Sequence, residues 1–338
     1  MSRASPLAVA VLALVLAVPV SAVAVPMPPP DASTAPAQVF APNPVADLGI
    51  QTLTDQKDAA RAVPQDAYHS VTLTDLDGSG TLSGKWAVVR STTGTPAYST
   101  TNTFLYDRHQ DQFEQVMAYY WITEAQKYIQ SLGFGTTLRP VNMRPQAVRI
   151  NQWGVDNSFA TDKQDEIRFG KGGVDDAEDA EVILHEYGHA IHFSQGFQFS
   201  TEQAGAISEG FGDYWAVTVT EAIVGASADP ECVADWDSTS YTSSEPHCLR
   251  RLDEDKKYPT DLVGEVHADG EIWSQALWDI RNAIGNVKAD TAILQGQFGF
   301  DGGTMPALAS DIVAAAKVLY GQATANAVTA AFHDRGIL

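Results

Sequence analysis

Apolar residues recur at three- and four-residue intervals in three stretches of the chain, and each stretch predicts a helix. In residues 107–134 the large apolar side chains fall on one face, and Gly133 marks the end of the pattern. Residues 272–284 and 306–332 show similar spacing with many alanines. We therefore expect a packing helix in the first half of the chain and a helical region towards the C-terminus.

Short runs rich in β-branched and apolar residues predict strands in the first half. These runs cover residues 70–73, 86–90, 148–150, 156–160 and 165–170. The turn between the first two has Asp75 and Asp77 at alternate positions, as in a calcium loop, but Trp86 stands where an EF-hand has its Glu. That mismatch favours a plain turn, so the region predicts a small sheet beside the packing helix.

Residues 1–24 have the composition of an export signal. A basic residue precedes a short apolar run, and Ala22 and Ala24 suit cleavage by signal peptidase. A membrane anchor is the alternative, but the run is short and interrupted by proline. Residues 25–38, rich in proline and small side chains, predict an extended linker. We expect a secreted or extracytoplasmic protein that folds after this linker.

The sequence His-Glu-Tyr-Gly-His at residues 185–189 carries the candidate chemistry. On a helix, His185 and His189 lie one turn apart, where two imidazoles can share a zinc ion. Glu186 is rotated by about 100° from His185, so its carboxylate can accept a proton from water that the metal activates. The pattern is typical of zinc peptidases, but so short a motif also occurs by chance.

A catalytic zinc normally has three protein ligands, so the chain should supply another. Gln195 and Phe193 replace the His and Gly of HExxHxxGxxH, which excludes the metzincin arrangement. His192 is displaced by about 60° from the two histidines, which favours an ordinary, partly buried histidine. Glu209 and Asp213 are better candidates, because they would share one face of a second helix. Glu209 can bind zinc, and Asp213 can orient a ligand histidine.

HExxH followed at this interval by ExxxD resembles the gluzincin metallopeptidases of the thermolysin and fungalysin type. The resemblance is strong in residues 181–216, moderate in residues 248–280 and loose elsewhere. It implies a zinc endopeptidase that acts on protein or peptide substrates. It also implies a thermolysin-like two-lobe α+β fold, with a β-rich N-terminal lobe in residues 39–198 that ends in the HExxH helix. A helical C-terminal lobe would occupy residues 199–338.

The resemblance suggests residues that bind the substrate. Asn157 and Ser158 match an edge-strand segment to which an extended peptide adds by main-chain hydrogen bonds. Arg250 matches an arginine that holds the substrate carbonyl, and His267 matches a histidine that stabilises the oxyanion. We expect these four residues to line a cleft between the lobes.

One departure concerns the partner of His267. The family pattern has an acid five residues before this histidine, where the chain has Leu262. Asp261 or Glu265 must therefore orient His267, or nothing does. Leu262 is also the only hint of a different function, a secreted zinc-stabilised binding module without catalysis, but the retained Glu186 argues against it. A gluzincin aminopeptidase is a further alternative, although the chain lacks a GxMEN-like anchor for a free amine.

Acidic residues outnumber basic ones, with 42 Asp and Glu against 21 Lys and Arg and a formal charge of −21. This balance argues against nucleic acid and anionic membranes as partners, because both need clustered cations. Some carboxylates could bind calcium, a common stabiliser of exported peptidases. The two cysteines, Cys232 and Cys248, flank an acidic segment and predict a local disulfide, with two free thiols as the alternative. We expect a monomer.

Overall fold

Most of the strands lie in the first half of the chain and most of the helices in the second. The computed structural model describes residues 33–91 and 93–338, so the predicted signal at residues 1–24 lies outside the described residues. The strands are β1 (Ala35–Val39), β2 (His69–Leu73), β3 (Ala87–Val89), β4 (Gln146–Arg149), β5 (Phe159–Thr161), β6 (Glu166–Arg168), β7 (Cys232–Val233) and β8 (Arg250–Arg251). The helices are α1 (Pro44–Leu48), α2 (Asp111–Ser131), α3 (Ala180–Gln195), α4 (Glu202–Val224), α5 (Val266–Ile284), α6 (Asn286–Gly296), α7 (Met305–Tyr320) and α8 (Gln322–Asp334).

A four-stranded sheet has the order β3-β4-β6-β5. β3, β4 and β6 run parallel, whereas β5 is antiparallel to β6 and forms one edge. In that pair Ala160 lies opposite Ile167. β5 also contacts α3, so an edge strand borders the HExxH helix, as the sequence predicted for this segment.

Helix α2 confirms the helix predicted in residues 107–134. Its buried face includes Phe113, Met117 and Ile122, and the chain turns after it at Gly133 with a φ of 99°. Phe113 packs against Phe40 with 4.7 Å between ring centroids. α2 contacts both β3 and α3, so it joins the sheet to the HExxH helix through one apolar core.

The prediction of a linker up to residue 38 was wrong, because residues 35–38 belong to β1, which pairs antiparallel with β2. Ala35 and Ala37 face the core, while Pro36 is exposed. Proline is tolerated on a strand where its missing N–H is not needed by the ladder. The small alanines gave too weak an alternation to distinguish this strand from a proline-rich linker. The earlier part of that segment, residues 25–32, lies outside the described residues.

The C-terminal region is helical as predicted, with three differences. α5 begins at Val266, ahead of the predicted start at Ile272. The helix predicted for residues 306–332 is two helices, α7 and α8, separated at Gly321 with a φ of 86°. α6 was not predicted, although it buries Ala292 and Ile293. Among the described residues, none of the helices combines the length and apolar character needed to cross a membrane.

The predicted disulfide between Cys232 and Cys248 is present, with 5.1 Å between the Cα atoms. It lies beside the antiparallel pair of β7 and β8, in which Val233 is opposite Arg250. The covalent bond and the strand pair together fix the chain on either side of the intervening loop. They therefore fix where Arg250 enters the core of the site. The division into lobes at residues 198 and 199 stays a prediction.

Candidate metal centre and cleft

Helix α3 carries both histidines of the predicted site. Its first turn is capped by Asp179, whose Oδ1 accepts a hydrogen bond from the backbone N–H of Glu181 at 2.9 Å. It ends at Gly196, which has the left-handed conformation that glycine favours. His185 and His189 lie one turn apart, with 5.0 Å between their ring centroids. Both imidazoles therefore face the same neighbouring helix.

That neighbour, α4, brings the carboxylate of Glu209 to both rings. Oε2 of Glu209 is 3.2 Å from Nε2 of His185, and Oε1 is 3.6 Å from Nε2 of His189. Atoms bound at about 2.0–2.2 Å to a tetrahedral zinc would be roughly 3.4 Å apart. The spacing and the donor set of two imidazole nitrogens and a carboxylate both fit zinc. Burial alone would raise the pKa of Glu209, but the two histidines hold it well below its usual range.

Glycines let the helices approach closely enough for these contacts. A Cβ atom on Gly212 would lie 2.7 Å from Nδ1 of His185, and one on Gly188 would lie 3.2 Å from Cα of Gly212. Between α4 and α5, a Cβ on Gly210 would lie 2.2 Å from the carbonyl oxygen of Gly270. A side chain at either α4 position would displace a neighbouring helix or the imidazole.

Asp213 holds His185 from behind, as the sequence predicted. Its Oδ1 is 2.9 Å from Nδ1 of His185. Arg250 donates to the same carboxylate, from Nε to Oδ2 at 2.6 Å and from Nη2 to Oδ1 at 2.7 Å. Burial would raise the pKa of Asp213, but Arg250, and then His185, lower it to about 2. An ionised Asp213 keeps a proton on Nδ1 of His185 and leaves Nε2 free for a metal.

Ser208 contacts Nδ1 of His189, as Asp213 contacts Nδ1 of His185. Its Oγ is 2.8 Å from Nδ1 of His189 and 2.9 Å from Nδ1 of His192. For Nε2 of His189 to bind a metal, Nδ1 must carry the proton and donate to Ser208. The hydroxyl of Ser208 then donates to His192, which can accept only when neutral. Burial, and then repulsion from His189, holds the pKa of His192 well below its usual value.

His192 is fixed in turn by aromatic rings. Its imidazole stacks between Phe197 and Phe211, with centroid distances of 4.1 and 4.6 Å. His192 is thus a buried core residue outside the three candidate ligands, as expected. Sequence reasoning missed Ser208, because a serine beside Glu209 can be assigned to His189 only once the rotation of α4 against α3 is known.

Glu186 is buried, and its Oε2 has no hydrogen-bond partner in the described part of the chain. The backbone of Ala160, in β5, lies close enough to this carboxylate to favour its charged form. Burial raises the pKa of Glu186 to about 7, although the nearby His185 opposes the rise. A buried carboxylate with one open oxygen and a pKa near neutrality is suited to general base catalysis.

A cavity of about 650 Å³ runs past these residues. β5 and the residues before it form one wall, where Asn157 and Ser158 line the cavity. Both precede β5, whereas the sequence placed them on the edge strand itself, and their role in substrate binding stays a prediction. The hydroxyl of Ser158 donates to Asp176, so this side chain already has a partner. Phe193 and Phe199 form an apolar part of the lining. The cavity thus combines an edge strand, the candidate metal ligands and an apolar surface.

His267 lies in the first turn of α5, whereas the sequence placed it before the helix. Glu265 caps this helix and accepts at Oε2 from the backbone N–H of Ala268 at 2.9 Å. Its Oε1 is 2.7 Å from Nδ1 of His267. Of the two acids left open by the sequence, Glu265 is the partner, because Asp261 accepts from the backbone N–H of Lys257 instead. These contacts lower the pKa of Glu265 to about 2, and the hydrogen bond from the backbone of Ala268 has the largest effect.

Two comparisons with known proteins found similar proteins. The family model described as "Fungalysin metallopeptidase (M36)" matches residues 79–298, which include every candidate site residue. A solved structure described as the precursor of protealysin, a metalloproteinase from Serratia proteamaculans, has a similar fold. Its TM-score is 0.56 at 17% identity, covering 78% of this chain and 92% of that chain. No curated protein matches the chain significantly. The structural likeness confirms the predicted α+β, thermolysin-like fold class.

Replacing Ser208 with alanine should weaken zinc binding by about 10–100-fold, because Nδ1 of His189 loses its acceptor. Ser274→Ala is a matched control, since among the described residues that buried hydroxyl bonds only to the backbone carbonyl of Glu271 in its own helix. Zinc affinity would be measured by competition with a chelator. Equal affinities for the two variants would show that Ser208 does not support the metal centre.

Proposed function

Because the chain belongs to the fungalysin metallopeptidase family, it is a zinc-dependent endopeptidase that acts on protein or peptide substrates, and we propose that His185, His189 and Glu209 are its zinc ligands. One observation carries the proposal: Nε2 of each histidine faces an oxygen of the same carboxylate. Beside them Glu186 keeps one oxygen without a partner among the described residues. Ligands and a separate base thus occur together, as metal-assisted hydrolysis requires.

Glu186 is the proposed general base and acid. Zinc, when bound, supplies polarisation of the scissile carbonyl and activation of water. Glu186 takes a proton from the attacking water and later delivers it to the leaving amine. Its raised pKa favours both steps, because the group can gain and lose a proton near neutral pH. The hint of an inactive binding module is weakened, since Glu265 provides the acid missing at Leu262.

Arg250 and His267 are proposed to act on the substrate carbonyl and its oxyanion. Both line the cavity, and Nε2 of His267 is 3.4 Å from Oε2 of Glu209. Two nitrogens of Arg250 bind Asp213, so the guanidinium is held rigidly at the cleft. A fixed donor near the reacting carbonyl stabilises charge that develops there without reorganising.

The substrate is proposed to bind as an added strand along β5. Asn157 and Ser158 lie just before this strand and line the cavity, and the backbone of Ala160 lies near Glu186. An extended peptide on such an edge gains main-chain hydrogen bonds whatever its sequence. This mode suits an endopeptidase, because neither end of the substrate has to be recognised.

The proposal also includes the location and form of the enzyme. We infer an exported, monomeric peptidase that is free of the membrane after signal cleavage, with a cleft between lobes that meet at residues 198 and 199. The bond between Cys232 and Cys248 supports export, since disulfides persist in oxidising compartments. The signal-like composition of residues 1–24 supports it independently. Calcium is proposed as a second, stabilising cation.

Glu186→Gln should retain zinc. Its rate of cleavage of an unfolded protein substrate should fall by about 10²–10⁴-fold, because the amide cannot take the proton. Glu209→Gln is the matched comparison, and it should lose zinc and activity together. Zinc content and cleavage rate would be measured on the same preparations. Undiminished cleavage by Glu186→Gln would contradict the mechanism, and full zinc content in Glu209→Gln would contradict the ligand set.

His267→Ala should lower kcat by about 10²–10³-fold with a smaller change in KM, because the donor acts on developing charge. Glu265→Gln keeps an acceptor oxygen for the cap of α5 but removes the charge beside Nδ1. We expect this variant to lower kcat less than His267→Ala does. Steady-state kinetics on one peptide would separate the two constants. A change in KM alone would assign His267 to ground-state binding.

A further inference from the structure

Three carboxylates converge in the structure, and none is a candidate zinc ligand. Asp156, Asp176 and Asp237 each offer an oxygen, and these oxygens lie within 4.8 Å of one another. The residues come from the loop before β5, the 3-10 turn Asp176–Glu178 that precedes α3, and the 3-10 turn Asp237–Ser240. Asp176 and Asp237 also line the cavity. We call these three residues the aspartate trio.

Two members of the trio are buried, and each has a carboxylate oxygen without a hydrogen-bond partner among the described residues. Asp176 is 2% exposed and Asp237 is 4% exposed. Oδ1 of each has no hydrogen-bond partner among the described residues. Arg250 is near enough to oppose the rise in the pKa of Asp237. It donates its Nε and Nη2 hydrogen bonds to Asp213, however. Burial, and then repulsion from the other two aspartates, raises the pKa of Asp237 well above its ordinary value. Buried carboxylates of this kind need a cation or a proton.

Hydroxyl groups hold two other oxygens of the trio in place. Tyr241 donates to Oδ1 of Asp156 at 2.7 Å. Ser158 donates to Oδ2 of Asp176. The surroundings thus fix one oxygen of each of these carboxylates and leave Oδ1 of Asp176 available. Oxygen donors of this kind, with no nitrogen or sulfur among them, are selected by hard divalent cations.

We propose that the aspartate trio binds one Ca²⁺ ion in the wall of the cleft. Calcium lies about 2.3–2.6 Å from its oxygen ligands, so two ligands of the same ion are at most roughly 5 Å apart. The observed limit of 4.8 Å meets this condition. The inference deepens the proposed function, because it names where the second cation binds, but it does not depend on the catalytic role of Glu186.

A basic side chain of a substrate is the other cation that fits three carboxylates. Burial favours the resident ion, because Asp176 and Asp237 would stay uncompensated in the free enzyme if only a substrate neutralised them. A bound Ca²⁺ would also link the residue just before Asn157 to the segment that leads into α3. The ion would therefore hold the substrate-binding edge at a fixed position relative to the HExxH helix.

Calorimetric titration of Ca²⁺ into the zinc-loaded full chain, without substrate, tests the proposal. Glu186→Gln is used as the parent so that the preparation does not digest itself. We expect one Ca²⁺ per chain, and affinity reduced at least about tenfold by Asp156→Asn or Asp237→Asn, because each removes a charged ligand. Asp235→Asn is the matched control, since Asp235 is also buried with an unpartnered Oδ1 among the described residues but lies outside the trio.

Absence of Ca²⁺ binding in the parent would overturn the proposal, as would equal affinity in the parent and Asp156→Asn. Asp156 is only partly buried in a loop, so this variant serves even if Asp237→Asn does not fold. Unchanged Ca²⁺ binding in the trio variants, together with slower cleavage beside Lys or Arg when the same substitutions are made in the active chain that retains Glu186, would assign the trio to the substrate and overturn the calcium site. Catalysis is not measured in the titration, so its failure would leave the comparison of Glu186 and Glu209 variants intact.

Discussion

The site depends on how closely three helices approach one another. Two imidazoles on α3 and a carboxylate on α4 can share a metal only if the helix axes are near enough for short side chains to meet. Gly188 and Gly212 allow this between α3 and α4, and Gly210 and Gly270 allow it between α4 and α5. The glycines carry no chemistry, yet a methyl group at Gly212 would occupy the space of the His185 ring. The metal ligands can therefore meet only because the helices pack closely.

Close packing creates a second requirement, because polar groups brought into the core need partners. Each candidate ligand histidine meets a different one, Asp213 for His185 and Ser208 for His189. Arg250 neutralises Asp213, and the disulfide beside the β7–β8 pair fixes where Arg250 enters. The support of the metal centre thus reaches two strands, β7 and β8, beyond the two ligand helices. Rigid, hydrogen-bonded surroundings keep the ligand nitrogens oriented before a metal binds.

Features that depend on a local sequence pattern could be predicted. Contacts between segments that are far apart in the sequence could not. The one-turn spacing of His185 and His189, and that of Glu209 and Asp213 on the next helix, needs only helical periodicity, which the sequence displays directly. The partner of His267 could be narrowed to two acids, but choosing Glu265 required the start of α5, which has too few apolar residues to be seen. The aspartate trio joins three separate segments, so no periodicity could reveal it. Strand β1 was missed for another reason, since its alanines resemble a linker.

Diffraction from zinc-loaded crystals, recorded on both sides of the zinc absorption edge, tests the central claim most directly. The account predicts an anomalous peak within about 2.2 Å of Nε2 of His185, Nε2 of His189 and an oxygen of Glu209. His267 should stay outside this shell, although its Nε2 is only 3.4 Å from Glu209. A zinc peak that lacks Glu209 as a ligand, or that includes His267, would contradict the account.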